Sequence, residues 1–387
     1  MSSLIENDKL YLAPTYKRFN VEIERGEGSI LYDYQGKSYI DMGSGIGVSV
    51  FGFNDKAWKD AVISQLDKVQ HTSNLYYTKP CVDLAKVLCD RTGFKKVFFA
   101  NSGAEANECA IKVARKYAED KGVTDGIIVT LKNSFHGRTI TTLSATGQEV
   151  FHKSFKPLTD GFCHVSANCL DEVVELSSKV NVIAVMIECV QGEGGVNALD
   201  KEYVVNLSKL SKEKDFLLIV DEVQTGNGRT GELYAYQNFG IMPDVITTAK
   251  GLGGGLPIGA CLIGKKVENV LSYGDHGSTF GANPVACSGA LSIINRLDDN
   301  FLNSVKEKSK FIFDQLNGAK GVISVSGMGL MIGVETTKPA IEVVNKCIEK
   351  GVLFLTAKNK VRLLPALNIS KEDLQTAVNV LKEVLAE

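Results

Sequence analysis

Histidine is scarce in this chain, five among 387 residues, and the nine cysteines are scattered without a C-x-x-C pair. Neither type offers metal-ligand spacing, so no metal site is expected. An odd cysteine count without such pairs fits unpaired thiols in a reducing compartment. Long apolar runs are missing, so no segment is expected to span a bilayer. The start, Met1 to Lys9, carries acids early and lacks an apolar h-region, which argues against a secretory signal. Charge of one sign is not in excess either: the formal net charge is -2, which gives no reason to expect nucleic acid or an anionic membrane as partner. Repeats and low-complexity linkers are absent. What remains is a soluble, enzyme-sized chain, expected in the cytoplasm and longer than one ordinary domain.

The middle of the chain alternates short apolar runs with amphipathic stretches. Val97–Ala100, Ile127–Leu131, Val182–Glu188, Phe216–Val220, Val245–Thr248 and Ala260–Ile263 read as buried strands bounded by turn signals. After Asn101, the residues Ala106, Ala110, Val113, Ala114 and Tyr117 recur at three- and four-residue steps, a helical face. The alternation predicts an α/β fold with a mainly parallel sheet, placed at residues 55–285. Residues 1–54 read differently: Ser29–Asp33 and Lys37–Asp41 flank Tyr34-Gln35-Gly36 as a hairpin. Beyond residue 285 come a charged helix (Phe301–Leu316), a Gly-rich apolar stretch (Ser324–Glu335), further strands and a last helix from Lys371. The ends 1–54 and 286–387 are expected to pack together as a smaller α+β domain.

Three constellations carry chemistry. In Asn101-Ser102-Gly103-Ala104-Glu105, Ser102 and Glu105 match a capping box at a helix start. Such a start presents free N–H groups and suits a phosphate, although capping boxes are common without a ligand. Asp221-Glu222-Val223-Gln224 follows the run Phe216–Val220, and a carboxylate at a strand's C-terminal end sits where open α/β sheets bind ligands. It would hold a heteroaromatic nitrogen protonated, or it is a solvated loop acid. In the third, Asp244 to Gly259, a strand delivers Lys250 into a loop crowded with glycines, where the backbone can approach a ligand closely. Desolvation there would free its amine for Schiff-base chemistry.

Other features are ambiguous taken singly. Gly226 to Gly231 matches G-x-G-x-x-G. Five residues separate it from the preceding apolar run, so the tight strand-to-helix turn of a dinucleotide site is missing, and a nicotinamide dehydrogenase is the weaker reading. Phe135-His136-Gly137-Arg138 offers an aromatic face beside a carboxylate-binding guanidinium. Glu188 and Glu193 are general acid/base candidates or simple loop acids. Ser278 and Thr279 bring hydroxyls in a turn-rich segment. Arg362, a charge inside an apolar strand, asks for a buried anionic partner.

Taken together, and in this order along essentially the whole chain, these segments resemble the ornithine and ω-amino-acid branch of the fold-type-I, pyridoxal-phosphate-dependent aminotransferases. The most specific parts are Asp221-Glu-Val-Gln-Thr-Gly-Asn-Gly-Arg-Thr-Gly231 and Ala249-Lys-Gly-Leu-Gly-Gly-Gly-Leu-Pro-Ile-Gly259. The resemblance implies pyridoxal 5'-phosphate as cofactor, with Lys250 forming its Schiff base and shuttling a proton, assisted by Asp221 at the ring nitrogen. Glu188 joins them as a catalytic candidate. Val223 and Phe135 would sandwich the ring, Gln224 would reach its phenolic oxygen, and Ser102, Gly103 and Ala104 would bind its phosphate. Thr279 would reach the phosphate across a homodimer interface. For substrates the resemblance implies Arg362 on an α-carboxylate, Glu193 masking it, Arg138 on a distal carboxylate and Ser278 as a further contact. It implies ping-pong transfer from an acylated ornithine, N-acetyl-L-ornithine first, to 2-oxoglutarate, giving glutamate. Succinylornithine, ornithine and 4-aminobutyrate stay open as donors. Ile46 stands where ornithine-specific relatives tend to carry a tyrosine. Departures from the usual pattern are Cys189 for a proline, Ala282 for a glycine, and Ser49 and Phe53 for an Asn and a His.

Overall fold

The computed structural model describes residues 4–387; Met1 to Ser3, the first residues of the segment read for a signal and for the small domain, lie outside the described residues. Seven strands form the central sheet, in the order Lys96–Ala100, Gly259–Ile263, Val245–Thr248, Leu217–Asp221, Val182–Ile187, Ile127–Leu131, Phe162–Val165. Only Gly259–Ile263 runs against the others. The interior strands are buried along nearly their whole length, which is why the sequence shows them as continuous apolar runs rather than as alternation. All six expected strands form. The 182–188 run stops at Ile187, leaving Glu188 just beyond the strand.

Helix Gly103–Glu119 packs on this sheet through a face rich in small residues, among them Ala106, Ala110 and Ala114. Small side chains let its axis lie close to the strands. The Ser102 hydroxyl accepts from the Glu105 N–H at 3.2 Å, but the expected capping box is only half formed. The Glu105 carboxylate passes over Ser102 and accepts from the Asn101 N–H at 2.6 Å instead. The same carboxylate also accepts from the Asn101 side-chain amide at 3.3 Å, which draws it to Asn101.

The expected hairpin forms as Ile30–Asp33 and Ser38–Asp41, with the Asp33 carboxylate accepting from the Gln35 and Lys37 N–H groups. Val352–Leu353, from the far end of the chain, adds to this sheet in parallel. The Gly-rich stretch is a second hairpin, Val322–Met328 and Met331–Thr336, extended by Lys360–Leu363 and Leu355–Ala357. Gly226 to Gly231 is a packing joint. A Cβ on Gly231 would meet Lys306 at 2.6 Å, and the buried Arg229 guanidinium donates to the Leu330 and Pro365 carbonyls at 3.1 and 2.6 Å. Its arginine is spent tying the segment to residues near the chain's end, which agrees with rejecting it as a dinucleotide loop.

Candidate active site

The parallel strands of the sheet point their C-terminal ends at one cleft of about 430 Å³. Open α/β sheets bind ligands at that edge because the strand-to-helix turns leave unpaired N–H groups and loop side chains there. Ser102, Gly103 and Ala104 enter after the 96–100 strand, Phe135 and Arg138 after 127–131, and Glu188 after 182–187. Asp221, Val223 and Gln224 follow 217–221, and Lys250 follows 245–248; all of them, with Glu193, line the cleft. Residues up to about 150 apart in sequence converge because each sits just past the same end of its strand.

Asp221 anchors the floor. One carboxylate oxygen accepts from His136 Nδ1 and from Asn107 Nδ2, both at 2.8 Å, and the other accepts from the Val223 N–H at 3.0 Å. Thr247 donates to the Asn107 side-chain oxygen at 2.6 Å, which turns the Asn107 amide group toward Asp221. Burial works against a charge on His136, yet the hydrogen bond to Asp221 and the charges of Asp221 and Glu188 raise its pKa above the ordinary histidine value. Its Nε2 is buried without a partner. Sequence reading gave Asn107, Thr247 and His136 no role. His136 belongs to the Phe135-His136-Gly137-Arg138 segment, whereas nothing in the linear pattern marks Asn107 or Thr247.

Lys250 sits in left-handed backbone, φ +44°, a conformation that a non-glycine residue holds only where its surroundings dictate it. Among the described residues its amine has no hydrogen-bond or ion-pair partner. Burial lowers its pKa below the ordinary lysine value, against the pull of the Glu193, Asp221 and Glu188 carboxylates. Glu188 accepts from the Phe135 N–H at 2.9 Å, and burial pushes its carboxyl up to about 7. A group titrating there can hold or release a proton at neutral pH.

Arg362 does not line the cleft itself but finds the buried partner its setting requires. Its Nη1 lies 2.5 Å from the Glu193 carboxylate and 3.4 Å from the Gln224 side-chain oxygen, and Gln224 Nε2 donates to Glu193 at 3.3 Å. Burial would raise the Glu193 pKa, but the charge and hydrogen bond of Arg362 outweigh it and hold the carboxyl below its ordinary value. Arg138 is exposed at the rim, its guanidinium over the Phe151 ring at 4.0 Å and the Phe135 ring at 5.5 Å; among the described residues no carboxylate pairs with it. Thr279 is exposed, and the Ser278 hydroxyl accepts from Asn101 Nδ2 and the Gly281 N–H; neither lines the cleft of the single chain. Nor does Ile46, which is 43% exposed.

A planar phosphorylated ring fits these residues. A Cβ on Gly103 would meet Val223 at 2.6 Å, so the valine lies directly over the helix start, whose Gly103 and Ala104 N–H groups have no partner among the described residues. The half-buried Phe135 lines the same cleft. Asp221 keeps lone-pair capacity for a ring N–H, and the unpaired Lys250 amine completes the set.

The family described as Aminotransferase class-III matches residues 11–385 of this chain. A curated acetylornithine aminotransferase of Haemophilus ducreyi is 51% identical over 98% of this chain and 98% of its own length. One from Aquifex aeolicus is 45% identical over 97% and 100%. Among solved structures, the ornithine aminotransferase of Toxoplasma gondii superposes with a TM-score of 0.95 at 30% identity, covering 99% of this chain and 94% of that one. The N-acetylornithine aminotransferase of Stenotrophomonas maltophilia gives 0.86 at 33%, covering 99% and 98%.

Proposed function

The chain belongs to the class-III aminotransferases, which use pyridoxal 5'-phosphate, and we propose that it moves the ω-amino group of N-acetyl-L-ornithine to 2-oxoglutarate, giving N-acetyl-L-glutamate 5-semialdehyde and L-glutamate. The observation that carries this reading is the cleft itself, lined by the unpaired Lys250 amine, the Asp221 carboxylate and Glu193, with Arg362 paired to Glu193 behind it. The names of the curated relatives add support for the donor, and the product would serve arginine biosynthesis.

When bound, the cofactor supplies a carbonyl for the amine and an electron-poor ring that takes up the electron pair left by a departing proton. Gly103, Ala104 and Ser102 would hold its phosphate, Val223 and Phe135 its two faces, Asp221 its ring N–H, and Gln224 its phenolic oxygen. Lys250 would carry it at rest and, once displaced by the substrate amine, move the proton on and off the substrate carbon. Glu188, beside His136, is read as a group that holds charge or a proton near that amine. Asp221 is itself held by His136, Asn107 and the Val223 N–H, so it meets the ring without rearranging.

For the donor, whose reacting carbon bears no carboxylate, Glu193 stays on Arg362, and Arg138 at the rim takes the far carboxylate. For 2-oxoglutarate, Glu193 swings away and Arg362 takes the α-carboxylate as a planar two-donor fork. One cleft then serves both halves of a ping-pong cycle.

We also read the chain as a large domain, 55–285, and a small one, 1–54 with 286–387; the parallel pairing of Val352–Leu353 with Ser38–Asp41 supports joining the ends. A homodimer is part of the same reading: Leu75, Tyr76, Tyr77 and Phe280 are exposed, and the bonds from Asn74 to the Ser278 and Gly281 carbonyls bring their two segments together. Thr279, exposed in the same stretch, would reach a neighbouring copy's phosphate. No helix among the described residues is long and apolar enough to cross a membrane, and a cytoplasmic location is part of the same reading.

Absorbance of the purified holoenzyme, followed while N-acetylornithine is added without 2-oxoglutarate, tests the function. Conversion of the visible cofactor band to the pyridoxamine form is expected. A band unmoved by N-acetylornithine but shifted by 4-aminobutyrate or ornithine would overturn the donor.

A further inference from the structure

Glu193 rides on a loop between two short paired strands, Val190–Gln191 and Asn197–Ala198. The loop is tightly built. A Cβ on Gly192 would meet Gln224 at 2.3 Å, and one on Gly194 would meet the Asn133 carbonyl at 2.5 Å. Val196 has φ +55°, left-handed backbone that a β-branched residue rarely adopts. It is fully buried, and the Ser326 hydroxyl donates to its carbonyl at 2.8 Å. Strain of this kind persists only where neighbouring contacts over-determine the conformation.

Lys360 supplies those contacts from the other side. It is 8% exposed, and no carboxylate pairs with it among the described residues. Its ammonium donates to the Asn197 side-chain oxygen at 2.9 Å and to the Ser326 hydroxyl at 2.7 Å. Its stem crosses Gly333, where a Cβ would meet Lys360 at 3.1 Å and Val196 at 2.9 Å. Lys360 and Arg362 lie two apart on strand Lys360–Leu363, so they face the same side. One strand therefore grips the loop twice, Arg362 at Glu193 and Lys360 at Asn197.

We propose that Lys360 is a positioning residue for substrate selection: with Asn197 and Ser326 it latches the base of the loop, so that Glu193 rests on Arg362 and returns there after each α-carboxylate leaves. This rests on the reading of Glu193 as a removable mask given above. The grip at Arg362 must break in every cycle, whereas the grip at Lys360 lies off the cleft, where no substrate competes for it. Weakening it lets the loop spend more time open, which favours glutamate and 2-oxoglutarate over the ω-amine donor.

The test measures the two half-reactions separately on the holoenzyme, with N-acetylornithine and with glutamate, alongside hydrogen exchange of residues 191–197 with and without cofactor. For Lys360→Met the preference for N-acetylornithine over glutamate, as a ratio of kcat/KM, should fall about tenfold, the scale of one lost charge-assisted hydrogen bond. The change should appear as a lower KM for glutamate with kcat little altered. Exchange in the loop should quicken even without cofactor, and Lys360→Arg should restore both. Glu193→Gln serves as control. If it shifts the ratio while folded Lys360→Met shifts neither ratio nor exchange, the latch is wrong and the mask stands. If Glu193→Gln leaves the ratio unchanged, the mask fails and the latch with it. Should Lys360→Met not fold, Asn197→Ala, on the exposed side of the same contact, carries the same expectation and the same overturning result.

Discussion

At the scale of single residues, the cleft sets each ionisable group by what surrounds it. Lys250 has no partner and a pKa lowered first of all by burial, while Asp221 has three donors. Lys250→Ala should leave the phosphate seat able to hold the cofactor but slow turnover by about 10²–10⁴-fold, the usual worth of a positioned proton carrier. Steady-state rates on cofactor-saturated protein check this, and wild-type rates would remove Lys250 from the chemistry. Ala282 shows a residue at odds with its backbone. Its φ is +65°, left-handed backbone that suits glycine. An alanine in left-handed backbone costs about 1–2 kcal/mol, more than the entropy that glycine adds to the unfolded chain. Ala282→Gly should therefore raise the thermal midpoint, and a lower midpoint would show that the loop tolerates the alanine without strain.

Elements matter here mainly through their ends. Helix Gly103–Glu119 presents two free N–H groups because Ser102 caps one position further in and Glu105 reaches back past it. Gly103 must remain glycine for a second reason, the Val223 side chain lying over it. Gly103→Ala should weaken cofactor binding about tenfold or more, since overpacking of this kind costs about 1–3 kcal/mol. Titration of cofactor into the apoprotein reads the effect, and unchanged affinity would mean that Val223 yields freely.

For the whole molecule, buried acids tie stability to pH. Burial raises Glu222 to about 7, despite the hydrogen bonds from Thr225 and the Tyr236 N–H, and raises Asp41 to about 6. A carboxyl with a folded pKa above its unfolded value, 4.5 for Glu222 and 3.8 for Asp41, keeps its proton when folded and sheds it on unfolding at pH values between the two. Stability then falls as pH rises from about 4.5 to 7 and levels off above. Glu222→Gln carries no such proton. Relative to the parent it should gain stability across that window, on the order of 2–3 kcal/mol in all. Denaturant titrations of the cofactor-free protein at pH 5 and pH 8 compare them; a constant difference between the two would place the Glu222 pKa near its ordinary value.

The sequence alone determined six of the seven strands of the central sheet, because a strand buried on both faces must be apolar throughout and a turn must follow it; the half-buried edge strand Phe162–Val165 carries no such run and was not legible. It also marked Lys250, Asp221 and the helix start at Ser102, since each sits at the abrupt boundary between an apolar run and a polar or glycine-rich turn. Arg362 announced its need for an anion by standing alone in an apolar strand, although nothing local said that Glu193 would answer. Tertiary structure decided the pairings that lie far apart along the chain. Asn107 and His136 on Asp221, Thr247 behind Asn107, and Lys360 on the Glu193 loop leave no linear trace, because a side chain's partner across a fold is set by strand order and register. Glu105 bonding to Asn101 rather than Ser102 was settled in the same way, because the Asn101 backbone and side chain offer it two donors that the spacing of the residues does not reveal.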